Sequence, residues 1–252
     1  MFKDHFSSHA HQYSHARPTY PDELFSYLAS LVKEHDLAWD CATGNGQAAV
    51  KLASYFKNVI ATDGSQPQLD EATRQKNIEY RLALAEESGL QGDSVDLITV
   101  AQAVHWFDFN AFYAEAKRVL KPKGIIAVWC YTLFYTDHPE FNVLLNMFYK
   151  DITQPFWPPE RKHLDDNYAF LPFPFKEMKN IPTFSIVNHW SIQQIIDYLQ
   201  TWSGVKGYEK EKKENPVDNW FIPRLDSIIE DSATTLKMTF PLVLKVGCME
   251  RN

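Results

Sequence analysis

Cysteine is scarce in this chain. Cys41, Cys130 and Cys248 lie far apart and form no CxxC pair, which argues against a disulfide framework and a zinc knuckle. Long apolar runs are missing too. The strongest, around Ile125–Trp129, is about half of the roughly 20 residues that a membrane-spanning helix needs. Met1-Phe-Lys-Asp-His5 contains no apolar h-region, so no secretory leader is expected and the cytoplasm is the expected location. Positive charge is in deficit: the net charge is −7, which leaves no overall footprint for nucleic acid. Mixed runs such as Lys210-Glu-Lys-Lys-Glu214 read as solvated surface. Neither a nucleic acid nor a membrane is an expected partner. His5/His9 and His11/His15 have i, i+4 spacing, but no HExxH and no nearby cysteine accompany them, so no metal is expected.

What is present is an ordinary globular composition, 45% hydrophobic and 23% charged over 252 residues, enough for one α/β domain with an insertion. From Leu37 to Tyr131 short apolar strands alternate with helical stretches. Strands are expected at Leu37–Cys41, 59–62, 78–82, 95–100 and 125–129. Helices are expected at 47–56, around 66–75 and at 111–120. That rhythm implies βαβ crossovers and a doubly wound, mainly parallel sheet, whose ligands bind beyond the carboxyl ends of the strands. After Tyr131 the pattern gives way to proline and aromatics, as in Phe156-Trp-Pro-Pro159 and Phe170-Leu-Pro-Phe-Pro-Phe175. This stretch reads as an inserted cap or as a packed structural excursion. A last strand, Met238–Val246, completes the sheet, with Pro241 suited to an edge or a bulge.

The sharpest local feature is Asp40-Cys-Ala-Thr-Gly44-Asn-Gly46-Gln-Ala-Ala49, with Asp63 nineteen residues beyond Gly44. It matches the G-x-G-x-x-A loop of dinucleotide sites, so an NAD-dependent oxidoreductase is a live reading. Asp40 favours another ligand. A carboxylate there repels a pyrophosphate, and no Lys or Arg between Asp40 and Ala49 compensates it. S-adenosylmethionine (AdoMet) has no phosphate and carries a cationic ammonium and sulfonium. Plainer readings stand beside these: a tight glycine turn, a helix cap around Asp63-Gly-Ser65, and an acid that merely ends a strand.

Taken together, these residues resemble a class I AdoMet-dependent methyltransferase of the type 11 group. Asp40-x-x-x-Gly44-x-Gly46 is similar to its first motif, Asp63 to its ribose-binding acid, and Arg118-Val-Leu-Lys-Pro-Lys-Gly124 to its turn before strand five. Tyr13-x-x-x-Arg17-Pro-x-Tyr20-Pro21, Ala101-Gln-Ala-Val-His105-Trp106-Phe-Asp108 and Thr239-Phe-Pro-x-Val-Leu-Lys-Val-Gly247 resemble the branch that includes trans-aconitate methyltransferase and related yeast and plant enzymes. The resemblance implies a Rossmann-like sheet of seven strands and AdoMet as cofactor. It implies that Asp40, Gly44 and Gly46 hold the methionine moiety and that Asp63 holds the ribose. Gly64, Ser65, Leu69, Ala85 and Glu86 would lie beside ribose and adenine, and Ala101 and Gln102 under the sulfonium. Tyr13, Arg17 and Tyr20 would fold over the cofactor. Leu84 replaces an acid that many members use for the adenine amino group. One domain spanning 1–252 is expected: a helical segment over the cofactor (1–36), a cofactor-binding core (37–131), a cap or substrate region (132–205) and a part completing the sheet (206–252).

The expected acceptor is a small molecule, with a carboxylate in view because it is ionised at neutral pH and needs no base. No Asn-Pro-Pro-Tyr-like segment follows strand four, which lowers the case for DNA or RNA. His105 is the candidate base or acceptor-binding residue, with a satisfied core histidine as the equal alternative. Arg17, Arg161 and Lys162 are candidates to pair with an acid, the last two also reading as surface charge. Trp106, Tyr168 and Trp202 are candidate pocket walls or core aromatics. A non-catalytic AdoMet-binding protein remains the third reading. Monomer and homodimer are both open.

Overall fold

Apolar residues alternate between the two faces of a buried sheet. Trp39, Cys41, Ile60, Ile98, Val100, Ile126 and Val128 belong to one apolar cluster. Their neighbours Ala38, Val59, Ala61, Leu97, Ile125, Ala127 and Trp129 belong to another. Both faces are therefore covered, as a parallel sheet with crossover helices requires. The structure is a computed structural model that describes residues 18–229, 231 and 233–250; Tyr13, Arg17 and the histidine pairs lie outside these.

The first half of the chain runs α1 (Asp22–Ser30), β1 (Leu37–Cys41), α2 (Gln47–Leu52), β2 (Asn58–Asp63), α3 (Gln66–Asp70), β3 (Ile78–Leu82), β4 (Val95–Ala101), α4 (Phe109–Val119) and β5 (Leu120–Tyr131). The second runs β6 (Tyr135–Thr136), α5 (Pro139–Met147), β7 (Lys176–Glu177), β8 (Ser185–Ser191), α6 (Ile192–Gln200), α7 (Ser203–Lys212) and β9 (Thr235–Cys248). Strand order is β3-β2-β1-β4-β5-β9-β6, with β7 and β8 also on β9. β1 to β5 are parallel, and β9 is antiparallel to β5. Seven strands are at least five residues long; β6 and β7 are two-residue additions. This is a Rossmann-like methyltransferase fold. Among the described residues no helix is long and apolar enough to cross a membrane.

Local causes are visible in several elements. In α1, Leu24, Phe25, Leu28 and Ala29 form one buried face, with Asp22 and Glu23 in the first turn, where carboxylates suit the helix dipole. In α4, Asp108 is the N-cap, accepting from the Asn110 and Ala111 N–H groups at 3.0 and 3.1 Å. Glu34, Asp36 and Asp96 converge as metal ligands do, but the Lys121 ammonium sits among them, 2.7 Å from buried Asp96. It ties the start of β5 to the start of β4 and to the segment just before β1.

β9 is not an edge strand. Its Leu242–Cys248 half pairs with β5, and its Thr235–Pro241 half pairs with β8, with β6 opposite Met238 and Thr239. Pro241 stands where one side of β9 passes from β6 to β5, so its missing N–H falls in the gap between those partners. Around this second half gathers a third apolar cluster, built from α5, α6, Phe134, Phe148, Trp202, Val217, Phe221 and Phe240.

Candidate active site

Parallel pairing brings the carboxyl ends of β1, β2 and β4 to one edge. The loop after β1 is tightly curled: Ala42, Gly44 and Gly46 all have positive φ, +54°, +58° and +86°. Its turn closes through the Gly46 N–H to the Thr43 carbonyl at 3.0 Å, and the Thr43 N–H reaches Thr62 of β2 at 2.9 Å. Asp63 then joins the first two loops. One carboxylate oxygen accepts from the Gly44 N–H and the other from the Ser65 N–H, each at 2.8 Å.

Asp40 ends β1 almost fully buried, 1% exposed. Thr43 and Thr99 donate their hydroxyls to it at 2.5 and 2.7 Å. Burial pushes its carboxyl up to about 6, against the pull of those two hydroxyls and the Ala49 N–H; the Asp63 charge adds to the upward push. Such a carboxylate gains from a cation placed beside it.

These residues open onto a cavity of about 600 Å3. Tyr20, Asp40, Gly44, Asp63, Gly64, Ser65, Ala85, Glu86, Ala101 and Gln102 line it. Gly46 and Leu69 do not. Gly46 faces Tyr80 instead, and a Cβ at Gly46 would run into the Tyr80 hydroxyl. Leu69 turns into the core at 2% exposure, while its neighbour Gln68 meets the cavity. The resemblance implies Leu69 beside ribose and adenine; in α3 it is Gln68 that meets the cavity. Gly46→Ala is expected to destabilise the fold by about 2–3 kcal/mol, the combined effect of a left-handed backbone and overpacking. Thermal unfolding measures it; the companion change Tyr80→Phe should recover part of the loss and leave the backbone share.

The lining selects its ligand by charge. Asp40, Asp63, Glu86, Asp108 and Glu160 face the cavity, and no Lys, Arg or His is among its described lining residues. A pyrophosphate would meet five acids there, so the NAD alternative fails on electrostatics. Two buried amide atoms on lining residues, Gln68 Nε2 and Gln102 Oε1, have no hydrogen-bond partner. Buried polar groups are rarely left so. An acidic wall with unused amides fits AdoMet.

A smaller cavity of about 70 Å3 adjoins the first and shares Gln102, Trp106 and Tyr131 with it. His105, Arg161 and Trp202 line it with Phe134, Trp157 and Tyr198. Tyr168 is placed behind the wall, fully buried, its hydroxyl 3.0 Å from His105 Nδ1. It braces the imidazole and does not reach the cavity. Arg161 is the one formally charged side chain among the described lining residues. Its Nε donates to the Tyr149 hydroxyl at 3.0 Å, Tyr149 donates to Asp165 at 2.5 Å, and the guanidinium lies 4.4 Å from the Trp157 ring centroid. Desolvation acts to lower Arg161, but Tyr149 and Asp165 outweigh it and hold the guanidinium charged. Among the described residues, none of its hydrogen bonds uses the two terminal amino groups.

The chain's relatives agree with this geometry. Residues 39–128 match the family model described as a methyltransferase domain. A protein of Dictyostelium discoideum, named as a methyltransferase, is 42% identical over 212 residues, 83% of this chain and 80% of that one. A solved structure from Anaeromyxobacter dehalogenans, described as a type II methyltransferase, superposes with a TM-score of 0.86 at 34% identity, covering 94% of this chain and 99% of that one. A yeast relative described as an AdoMet-dependent methyltransferase (Saccharomyces cerevisiae) is 30% identical over 55% of this chain and 50% of its own. The chain belongs to the class I S-adenosylmethionine-dependent methyltransferases, and it is an enzyme.

Proposed function

We propose that the enzyme methylates an oxygen of a small, carboxylate-bearing molecule. One observation carries this reading: Arg161 is anchored from behind by Tyr149, Asp165 and Trp157, and its paired amino groups remain uncommitted at the smaller cavity. A guanidinium fork so held matches a carboxylate in two parallel hydrogen bonds. The aromatic walls, Phe134, Trp157, Tyr198 and Trp202, suit the organic remainder of such an acid and exclude water.

In the larger cavity, buried Asp40 would take the cationic methionine end of AdoMet, and Asp63 the ribose hydroxyls. Tyr20, Gly64, Ser65, Ala85 and Glu86 would wall the nucleoside. Bound AdoMet supplies a methyl group already activated by a sulfonium. A carboxylate oxygen then forms the O–CH3 bond as the C–S bond breaks and its electron pair returns to sulfur. No proton moves, so a general base is unnecessary, and the protein's contribution is proximity and alignment. His105, braced by Tyr168, would serve as a hydrogen-bonding wall beside the acceptor.

The test is a panel of small carboxylic acids, phenols and amines incubated with enzyme and AdoMet, with products identified by mass spectrometry. Methyl esters are expected, with rates that stay level as pH rises from 6 to 8. Methylated phenols or amines with no ester would overturn the assignment.

A further inference from the structure

Behind the smaller cavity two neighbouring residues hold a left-handed backbone, Asn167 at φ +52° and Tyr168 at φ +54°. Asn167 follows the helical turn Lys162–Asp165, a usual place for such an angle. Tyr168 is not a usual residue for it: a bulky side chain adopts this region only when its surroundings dictate it. The turn is locked by the Tyr168 N–H on the His163 carbonyl at 2.8 Å and the Asn167 N–H on the Leu164 carbonyl at 2.9 Å. It delivers the Tyr168 ring into the core, fully buried, with the hydroxyl 3.0 Å from His105 Nδ1. The Cys130 thiol of β5 is also within hydrogen-bonding reach of that hydroxyl. His105 in turn lines the smaller cavity.

Thiol, hydroxyl and imidazole can share their protons in two ways. Burial pushes the Cys130 thiol up to about 12 and the Tyr168 hydroxyl well above its ordinary value, so both keep their protons. If His105 donated from Nδ1, the hydroxyl's proton would fall to sulfur, a weak acceptor. If the hydroxyl donates to Nδ1 instead, its proton meets the strongest acceptor of the three, and the weak S–H donor turns to the hydroxyl oxygen. The second arrangement is the better one for a buried site. We propose that Tyr168 is a positioning residue that fixes neutral His105 in its Nε2–H tautomer, so that the imidazole donates to an oxygen of the methyl acceptor. This rests on the reading that the smaller cavity takes a carboxylate. A carboxylate has lone pairs for a third donor besides the two of the Arg161 fork. A phenol or alcohol would need the opposite tautomer, with a bare Nε2 to take its proton. The tautomer therefore favours an acceptor that is already ionised, and the left-handed backbone at Tyr168 is the means of setting it.

Nitrogen NMR of the histidine rings in the full chain reads the tautomer directly, at about pH 8, where imidazoles are ordinarily neutral. A His105→Gln variant assigns the signal. The parent should show His105 in one tautomer, with its proton on Nε2. Tyr168→Phe keeps the ring's volume and removes only the hydroxyl. Its His105 signals should become an average of both tautomers. Its acceptor KM should rise about threefold to tenfold, the scale of one neutral hydrogen bond, with AdoMet affinity within twofold. A tyrosine that only fills space would leave the tautomer as it was. A parent with the proton on Nδ1, or a Tyr168→Phe protein with an unchanged tautomer, would overturn the proposal. The parent's spectrum decides even if the variant fails to fold. The carboxylate reading survives either result, since it rests on Arg161; a panel of acids, phenols and amines that yields no methyl ester overturns that reading whatever the tautomer.

Discussion

Asp40→Asn should weaken AdoMet binding severely while making the free protein more stable at pH 7. The two effects have one cause. Burial holds the Asp40 carboxyl near 6 in the folded protein, above its ordinary value of 3.8. Between those values the folded state binds more protons than the unfolded chain, so this group's stabilising contribution is complete below about pH 4. It is lost as pH rises through 6, at roughly 2–3 kcal/mol. Asparagine removes that penalty and keeps the shape. AdoMet reverses the balance, because its cationic end favours the ionised carboxylate. Affinity should therefore climb as pH rises toward 6 and level off above it, with about one proton released per AdoMet bound near pH 5. Stranding the ligand's charge without Asp40 should weaken binding by about a hundredfold or more. Calorimetry in buffers of different ionisation enthalpy reads the proton, and thermal unfolding reads the stability. An Asp40→Asn protein that bound AdoMet within threefold of the parent would remove Asp40 from the site.

Arg161→Leu is expected to raise the acceptor KM about a hundredfold and leave AdoMet affinity within twofold. The side chain lines only the smaller cavity, and removing a charge-assisted bidentate hydrogen-bond pair from a desolvated pocket costs about 2–4 kcal/mol. The fold should survive. Asp165, the acid Arg161 leaves behind, has a 42% exposed side chain and is solvated without it. Arg161→Lys keeps the charge and loses the fork, so only part of the affinity should return. Steady-state kinetics on the acid identified by the panel decides the matter. An unchanged acceptor KM, or a parallel collapse of AdoMet binding, would move the acceptor elsewhere.

The core was legible because its signals are local. β1 and β3 match the strands expected from the sequence residue for residue, Leu37–Cys41 and Ile78–Leu82, since apolar runs bounded by turn residues define them. Two of the three expected helices are shorter than expected, while α4, at Phe109–Val119, begins two residues earlier than 111–120. α2 stops at Leu52 and α3 at Asp70, where the Arg74 guanidinium takes the Leu69 carbonyl at 3.2 Å. A side chain reaching back to a carbonyl leaves no periodic trace. The charged positions of the cofactor side, Asp40 and Asp63, stood out because strand ends fix them, whereas Gln68, a polar residue on a short helix, carries no comparable signal. The acceptor side was harder. Tyr149 sits in a π-helical stretch, Phe148–Thr153, and Arg161 in a 3-10 turn, Pro159–Arg161; neither repeats at 3.6 residues. Asp165 is the i, i+4 neighbour of Arg161, a spacing visible in the sequence, but Tyr149 becomes a partner of both only through packing, so the triad as a whole is not announced.

β9 has a consequence for how the molecule is made. It pairs with β5 along one half and with β8 along the other, and one of its anchoring bonds, Lys237 N–H to Asp137, spans 100 residues. Until β9 docks, β5 and β8 each present an open strand edge, the feature most prone to pairing with another chain. Such long-range closure is slow compared with forming local helices and βαβ units. The nascent chain therefore carries one sticky edge once Tyr131 is made and a second once Ser191 is made, and a single late event covers both.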